Sequence, residues 1–264
     1  MDSMNKRHFL RTIKRVVVKV GTNLLATPEG KPDLNNLRQI VYQLAALHLT
    51  QGIELVVVTS GAITCGSERL GWIATSVEEK QGAAAVGQIL LMQEYSRFFE
   101  SKGLCVGQIL LTNDAFQDTE RRGLASRTIQ TLIAHRVVPI INENDTVSTD
   151  EIKFGDNDNL SALVANLVDA DMLVLLTDID GLFTANPKVD SNAELITMLD
   201  SVSNDGSSYI NDLSNSRSRG GMQSKLGAAK SVAKNGRVAI IANGRVPNVL
   251  TDLVDGRQVG TWIQ

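Results

Sequence analysis

Short apolar runs rich in β-branched residues alternate along the chain with longer segments whose apolar residues recur at helical spacing. The short runs are predicted strands at residues 16–20, 54–59, 106–111, 137–141, 172–177 and 237–241. The longer segments are predicted helices at residues 34–50, 78–102, 121–135, 159–170 and 221–235. Continuously apolar strands are typical of a parallel sheet that helices cover on both faces. The alternation therefore predicts an α/β chain, a three-layer αβα sandwich with a mainly parallel central sheet.

Length and charge narrow the possible functions. A chain of 264 residues is long enough to bury one large core. Its net charge is −3 and only 4% of its residues are aromatic, which disfavours nucleic acid as a partner. The two cysteines and three histidines lack metal-ligand spacing, and no apolar run approaches the roughly 18 residues of a membrane span. We therefore expect a reduced, cytoplasmic protein with no membrane span and no metal held by side chains.

One segment interrupts the alternation. Residues 190–218 are rich in Ser, Asn and Asp and poor in apolar residues, and we predict a mobile flap there rather than a domain boundary. None of the five prolines lies in a linker that would divide the chain. A single domain is therefore expected over residues 1–264, with residues 1–14 as an N-terminal extension.

Polar or glycine-containing loops follow four of the predicted strands. Their residues of interest are Lys19, Gly21, Ser60, Gly61, Asn142, Asp145, Thr177 and Asp178. Ligands bind at the carboxyl ends of strands in a sheet of this kind. Glycine beside a hydroxyl lets backbone N–H groups approach a phosphate, and a lysine there neutralises its charge. Tight turns, helix N-caps and a Lys19 side chain extending to solvent at the strand edge also account for these residues, so both interpretations stay open.

Two further loops open helices. Residues 155–162 place Asn157 and Asp158 at the start of an apolar, small-residue helix, and residues 220–225 form a glycine-rich turn that ends in Ser224 and Lys225. Free N–H groups at a helix N-terminus bind anions, while carboxylates suit an ammonium group, a lysine or a metal. Plain capping loops remain the alternative. The P-loop spacing, the GxGxxG fingerprint and the protein-kinase HRD and DFG motifs are all absent from the sequence.

The residue types in these loops favour one kind of chemistry. Two lysines on separate loops, a set of carboxylates and the lack of a nucleophilic triad point to phosphoryl transfer by positioning and charge neutralisation. A carboxylate acceptor is already ionised at neutral pH and needs no general base. The absence of an evident base therefore suits a carboxylate acceptor.

Six segments, in order, resemble the amino acid kinase family, and in particular its members that phosphorylate glutamate. The segments are VVVKVGT, VTSGAI, INEND, GDNDNLSA, LLTD followed by GL, and GGM followed by Lys225, and the match runs from about residue 15 to Thr261. The INEND and GDNDN segments distinguish these members from the aspartate, acetylglutamate, carbamate and uridylate kinases. The resemblance implies the amino acid kinase fold and ATP-dependent phosphorylation of the side-chain carboxylate of L-glutamate. The product would be L-glutamyl 5-phosphate, in the first step of proline biosynthesis, with Mg²⁺ bridging the phosphates.

The resemblance also implies roles for the loop residues. Lys19 and Lys225 would stabilise the transferring phosphoryl group, and Asp158 would hold both lysines in place. The residues expected to bind glutamate are Ser60, Gly61, Asn142, Asp145 and Asn157, with Asp145 facing the ammonium group. The residues expected to bind the nucleotide are Lys19, Gly21, Thr177, Asp178, Arg219, Gly220, Gly221, Met222, Gln223, Ser224 and Lys225. Residues 15–170 would then form a glutamate-binding half and residues 171–264 a nucleotide-binding half.

Further properties follow from the same resemblance. L-proline is expected as a feedback inhibitor around residues 142–157, and a homodimer or homotetramer is expected. The common bacterial form continues into a C-terminal PUA domain, whereas this chain ends at Gln264, so we expect a short form without it. Arg217 and Arg219 stand where many bacterial members carry small residues and resemble the kinase half of bifunctional pyrroline-carboxylate synthase. Contact of Arg219 with phosphate and contact with solvent alone are both open.

Two alternative functions remain at this stage. One is another carboxylate or carbamate kinase of the same fold, and the other is a catalytically silent nucleotide- or amino-acid-binding regulatory domain. Asp145 favours a free ammonium group over an acylated amine, which argues against an acetylated acceptor. A silent domain need not retain Lys19, Asp158 and Lys225 together.

Overall fold

An eight-stranded sheet runs through the molecule. The computed structural model describes residues 9–147, 157–187, 189–200 and 216–264, and in the last range it describes side chains from residue 221 onwards. The strands are β1 (Arg15–Val20), β2 (Glu54–Thr59), β3 (Cys105–Leu111), β4 (Val137–Glu143), β5 (Met172–Thr177), β6 (Met198–Leu199), β7 (Val238–Asn243) and β8 (Thr261–Ile263).

The strand order is β3-β4-β2-β1-β5-β7-β8-β6. All neighbours from β3 across to β7 are parallel, whereas β8 runs antiparallel to β7 and parallel to β6. The predicted mainly parallel sheet is therefore confirmed. Strands β2, β3 and β4 lie on one side of β1, and β5 lies on the other. In sheets of this type the ligand crevice lies outside the carboxyl ends of the strands where the order reverses, which here is at β1 and β5.

Helices cover both faces of the sheet. They are α1 (Leu34–Gln51), α2 (Ala62–Leu70), α3 (Val77–Glu100), α4 (Asp114–Gln117), α5 (Thr119–Ala134), α6 (Asn157–Leu167), α7 (Ser216–Ala233) and α8 (Val249–Val254). Local sequence explains where the longest begin, since Asp33 caps α1 and a reciprocal Ser76–Glu79 capping box starts α3. Among the helices in the described ranges, none combines the length and the apolar character needed to cross a membrane.

Alternate residues of β1 enter two separate apolar cores. Val16, Val18 and Val20 pack with buried residues of α1, α3 and α8, whereas Val17 packs with those of α5, α6 and α7. Successive side chains of a strand point to opposite faces, so the two cores lie on opposite sides of the sheet. The predicted three-layer αβα sandwich is confirmed, and it explains why the strand segments are apolar throughout.

The prediction that β3 is buried on both faces is wrong. This strand lies at the edge of the sheet with β4 as its neighbour, and Cys105 and Leu110 are exposed. An apolar edge strand has the same composition as a central one. The position of a strand within a sheet depends on long-range pairing that its own residues do not encode.

The segment predicted to form a flap, residues 190–218, contains regular elements where the structure describes it. Met198 and Leu199 form β6 and pair with β8, Phe183 bridges Leu195, and α7 already begins at Ser216. Residues 201–215 lie outside the described residues. The short elements α2, α4, α8 and β6 were absent from the predicted strands and helices, because two to nine residues carry too little periodicity to be recognised.

Helices α2 and α3 approach each other closely at two glycines. A Cβ atom on Gly87 would lie 1.8 Å from the carbonyl oxygen of Ala62, and one on Gly66 would lie 1.8 Å from the carbonyl oxygen of Ala83. Even a methyl group at either position would force the helices apart. The start of α2 is thereby held at a fixed position next to the end of β2.

Candidate active site

A cavity of about 560 Å³ opens at the carboxyl ends of the central strands. It brings together all five residues predicted to bind the acceptor, together with one of the two predicted catalytic lysines: Ser60, Gly61, Asn142, Asp145, Asn157 and Lys19. These residues come from segments up to about 140 positions apart, and the parallel sheet places them at one edge. The volume lies in the usual range of small-molecule sites.

A buried carboxylate joins the two lysines. Asp158, in the first turn of α6, is 1% exposed, and its Oδ1 lies 2.6 Å from Lys19 Nζ. Its Oδ2 lies 3.2 Å from Lys225 Nζ and accepts a hydrogen bond from Ser224 Oγ at 2.8 Å. Lys19 lines the cavity, whereas Lys225 projects from α7 on the far side of Asp158. The structure therefore brings the three predicted catalytic residues into one contiguous charge cluster.

Burial and charge act in opposite directions within this cluster. Burial lowers the pKa of Lys19, Asp158 opposes that shift, and repulsion from Lys225 adds to it. Burial alone would raise the pKa of Asp158, but Lys19 and Lys225 together hold it below its ordinary value. Asp158 is therefore ionised at neutral pH, and its charge favours the protonated form of the buried Lys19.

Amide side chains form the floor of the cavity. Asn157 Nδ2 lies within hydrogen-bond distance of three oxygens, to which its two hydrogens are donated: the Thr59 carbonyl at 2.8 Å, Ser60 Oγ at 2.9 Å and Asn142 Oδ1 at 3.0 Å. Asn142 is 1% exposed. The ends of β2 and β4 are thus tied to the start of α6, which fixes three of the predicted acceptor residues relative to one another.

Asp145 is the second carboxylate of functional interest. It follows β4, lines the cavity, and has its pKa raised to about 6 by burial and, second, by the nearby charge of Glu143. Burial and a neighbouring negative charge both destabilise the charged form of a carboxylate. An ammonium group bound beside it would reverse that shift, which makes the position suited to a free amine.

The predicted nucleotide residues lie beyond Asp158, around β5 and α7. A Cβ atom on Gly21 would lie 3.2 Å from the carbonyl oxygen of Leu176 and 3.5 Å from Lys19 Nζ, so a side chain there would crowd the backbone beside the lysine. Thr177 ends β5, and Asp178 follows it and accepts a hydrogen bond from Asn23 Nδ2 at 3.2 Å. Gly221, Gln223 and Ser224 lie in α7 near Lys225.

One of the predicted nucleotide residues differs from that picture. Met222 is buried in the apolar core with α5 and α6, so its side chain packs instead of facing an open crevice. Arg219 and Gly220 lie in α7, and the side chains of Arg217 and Arg219 are outside the part that the structure describes. Gly155 and Asp156 of the predicted anion loop also lie outside the described residues.

Other cavity residues were not predicted from the sequence. One wall comes from the hairpin at Glu29 and Gly30, and the opposite wall comes from α2 and the loop after it. The residues of that second wall are Ala62, Ile63, Thr64, Ser67, Glu68, Gly71, Trp72, Ile73 and Ala74. Lys31 Nζ lies 3.5 Å from a Glu68 carboxylate oxygen, which connects the two walls at the surface. The turn residues in the segment after β1 were a sequence signal for the first wall. The second wall gave no such signal, because α2 was too short to be recognised.

The side chains suit a metal that arrives with its own ligands. Within the described ranges, no group of three or more His, Cys, Asp or Glu side chains is arranged to hold a metal ion. Both oxygens of Asp158 face ammonium groups, and Asp178 accepts from Thr177 and Asn23. Mg²⁺ usually binds through phosphate oxygens and water with few protein carboxylates. The site fits a magnesium–nucleotide complex that enters as substrate.

Family comparison agrees with this fold and site. The family model described as "Amino acid kinase family" matches residues 14–243, and the chain belongs to that family. In the solved carbamate kinase from Giardia lamblia bound to AMP-PNP, the fold superposes with a TM-score of 0.69 at 15% identity, covering 96% of this chain and 99% of that one. The isopentenyl phosphate kinase of T. acidophilum gives a TM-score of 0.66 at 16% identity, covering 95% of this chain and 100% of that one. These structures support the fold alone.

Curated relatives define the branch within the family. The chain is 47% identical to the glutamate 5-kinase of Chromohalobacter salexigens, over 97% of this chain and 68% of that protein. It is 42% identical to the glutamate 5-kinase of Clostridium tetani, over 98% of this chain and 97% of that protein. The resemblance noted from the motifs therefore extends over nearly the whole chain.

Proposed function

We propose that this chain is a glutamate 5-kinase, which transfers the γ-phosphoryl group of ATP to the side-chain carboxylate of L-glutamate. One observation carries the proposal beyond family membership: the buried Asp158 pairs with Lys19, which lines the cavity, and with Lys225 of α7, which is not among the lining residues. A phosphoryl group that passes between the two substrates passes between these ammonium groups.

The chemistry follows from charge and position. The acceptor carboxylate attacks the γ-phosphorus, the bond from that phosphorus to the β,γ-bridging oxygen breaks, and ADP leaves. Negative charge on the transferring group and the leaving oxygen is stabilised by Lys19 and Lys225. No proton has to be removed, because the attacking oxygen is already ionised. The nucleotide enters as its Mg²⁺ complex, in which the cation neutralises phosphate charge.

The acceptor cavity supports a free amino acid. Asp145 would bind the α-ammonium group of glutamate, and Ser60, Asn142 and Asn157 would orient the acceptor with their hydroxyl and amide groups. Asp145 would leave an acylated amine without a charged partner, which disfavours N-acetylglutamate. Residues 15–170 would thus supply the glutamate half of the site and residues 171–264 the nucleotide half.

A hydroxylamine trap tests this function directly. The purified chain is incubated with ATP, Mg²⁺ and hydroxylamine, and the hydroxamate is measured with glutamate, aspartate, N-acetylglutamate or carbamate as the acceptor. We expect hydroxamate with glutamate alone. Hydroxamate with another acceptor would make that acceptor the proposed substrate. A folded chain that binds ATP but gives no hydroxamate with any acceptor would contradict kinase activity.

Asp145→Asn should raise the KM for glutamate about 30- to 100-fold, because it removes the charge partner of the ammonium group. The KM for ATP should change less than about threefold. In the unmutated chain the glutamate KM should also rise as the pH falls below about 6, where Asp145 becomes protonated. That rise should be missing in Asp145→Asn. Steady-state kinetics from pH 5 to 8 measure both effects.

Glu143→Gln provides the matched control for this pH dependence. It removes the neighbouring charge that helps to raise the pKa of Asp145, so the rise in KM should begin at a lower pH. A glutamate KM that is independent of pH in the unmutated chain, or unchanged in Asp145→Asn, would remove Asp145 from the acceptor site.

Three further properties belong to the same proposal. The family resemblance supports inhibition by L-proline near the acceptor site, assembly as a homodimer or homotetramer, and a cytoplasmic location. Inhibition assays with proline and sedimentation at several protein concentrations test the first two.

A further inference from the structure

Gln88 on α3 contacts the acceptor site from behind. Its side chain is buried, and its Oε1 accepts a hydrogen bond from Asn142 Nδ2 at 2.8 Å. Asn142 lines the cavity, whereas Gln88 is not among the lining residues. Any influence of Gln88 on the acceptor therefore passes through the amide of Asn142.

The direction of each amide in this chain of hydrogen bonds is determined. The backbone N–H of Glu143 donates to Asn142 Oδ1 at 2.9 Å, so this end of the Asn142 amide must be oxygen. Asn157 Nδ2 donates to the same oxygen. The opposite end of Asn142 is then an NH₂ group that needs an acceptor, and Gln88 Oε1 supplies it. A reversed Asn142 amide would direct NH₂ towards two donors.

Helix α3 holds Gln88 at a fixed distance from the cavity floor. Gly87 makes the close contact with the carbonyl of Ala62 at the start of α2. Two turns further along α3, the hydroxyl groups of Tyr95 and Thr59 lie 2.8 Å apart, and Thr59 also accepts the hydrogen bond from Asn157 at its carbonyl. Tyr95 thus contacts a hydroxyl at the end of β2 that does not line the cavity, whereas Gln88 contacts an amide that does.

A role in stability alone does not explain Gln88. Its buried Nε2 has no hydrogen-bond partner within the part of the chain that the structure describes. A buried donor in that state is destabilising, whereas an apolar side chain of similar size would carry no such penalty. Of the two polar atoms of this side chain, Oε1 has a hydrogen-bond partner among the described residues, and that partner is Asn142.

We propose that Gln88 is a positioning residue that holds the Asn142 amide, and through it Asn157, in the orientation that binds the acceptor. This inference rests on the proposed function of the cavity. Loss of the Gln88 oxygen leaves Asn142 Nδ2 without an acceptor and releases the amide pair to reorient. The acceptor then binds more weakly, while the lysine cluster that performs the transfer remains as it was.

The test compares three variants by kinetics and by thermal unfolding. Gln88→Met keeps the length of the side chain and removes the acceptor oxygen, and Gln88→Glu keeps an oxygen for Asn142. Tyr95→Phe is the matched control, because it removes a buried hydrogen bond from the same helix without contacting the cavity amides. In Gln88→Met we expect the KM for glutamate to rise about tenfold, with the ATP KM and kcat changed less than about threefold.

The controls separate positioning from general damage to the fold. Gln88→Glu should stay within about threefold of the unmutated glutamate KM, and Tyr95→Phe should leave it unchanged while lowering Tm. An unchanged glutamate KM in Gln88→Met, an equal rise in Tyr95→Phe, or a raised KM in Gln88→Glu would each overturn the proposal. If Gln88→Met does not fold, the glutamate KM of Gln88→Glu still tests the proposal.

Failure of the proposed function can be distinguished from failure of the proposed role of Gln88. If the unmutated chain phosphorylates a different acceptor, the assignment of glutamate fails, and the same comparison made with that acceptor still tests the role of Gln88. If the chain binds glutamate without phosphorylating it, the dissociation constant from calorimetry replaces KM in the comparison.

Discussion

Asp158→Asn should lower kcat at least about a thousandfold, equivalent to roughly 4 kcal/mol of transition-state stabilisation. The substitution keeps the shape of the side chain and removes the charge that lies between Lys19 and Lys225. One end of the new amide is an NH₂ group, which directs hydrogen atoms towards an ammonium group. The two lysines then repel each other in a buried site, so both their positions and their protonation are disturbed.

The pH dependence of the remaining activity should also change. Burial already lowers the pKa of Lys19, and Asp158 is the main group that opposes that shift. Without this carboxylate the pKa of Lys19 falls further, and the charged form persists only at lower pH. The residual activity of Asp158→Asn should therefore decline with rising pH at a lower pH than in the unmutated chain. A pH–rate profile of kcat measures the difference.

Ser224→Ala is the matched control for Asp158→Asn. It removes one neutral hydrogen-bond donor to Asp158 Oδ2 and leaves all three charges in place, so we expect a fall in kcat of less than about tenfold. Circular dichroism and ATP binding establish that each variant is folded. A folded Asp158→Asn chain that retains more than a tenth of the unmutated kcat would contradict the role of the charge cluster.

Lys225→Met should lower kcat about 100- to 1,000-fold while changing the dissociation constant for ATP less than about fivefold. The ammonium group contributes most where charge develops during transfer, so its loss is felt in the transition state more than in the bound ground state. Single-turnover rates and calorimetric titration with a non-hydrolysable ATP analogue measure the two quantities separately.

Lys234→Met is the control for Lys225→Met. Lys234 is exposed just after the end of α7, so the same change of residue there should leave kcat and ATP binding unaltered. If Lys225→Met weakened ATP binding as much as it slowed turnover, Lys225 would be a nucleotide-binding residue without a separate role in transfer.

The sequence predicts the central strands well because each is a continuous apolar run in a sheet covered on both faces. The predicted bounds of β2 and β5 agree with the structure, and those of β1 and β3 differ by one residue. The order of the strands and the edge position of β3 depend on pairing between distant segments. No local pattern in the sequence contains that information, so the burial of β3 was predicted wrongly.

The candidate site, like the fold, could be predicted from the sequence only in part. Residues such as Lys19, Ser60 and Asp145 could be identified because polar side chains and glycines interrupt apolar runs at the carboxyl ends of strands. The association of Lys19, Asp158 and Lys225 could be inferred only from the resemblance to a known family, because more than 200 positions separate the two lysines. Gln88 gave no signal, since a single amide in an apolar helix is also a common surface residue.

The close contact of α2 with α3 limits how the acceptor range of this enzyme could change during evolution or by design. With backbone atoms in contact at Gly66 and Gly87, α2 has no room to move towards α3 and enlarge the cavity. The loop after α2 has that freedom, since Ile73 is 87% exposed and lines the cavity. A variant that accepts a longer substrate would thus have to gain its space by rebuilding this loop, with the helix pair retained as an invariant frame.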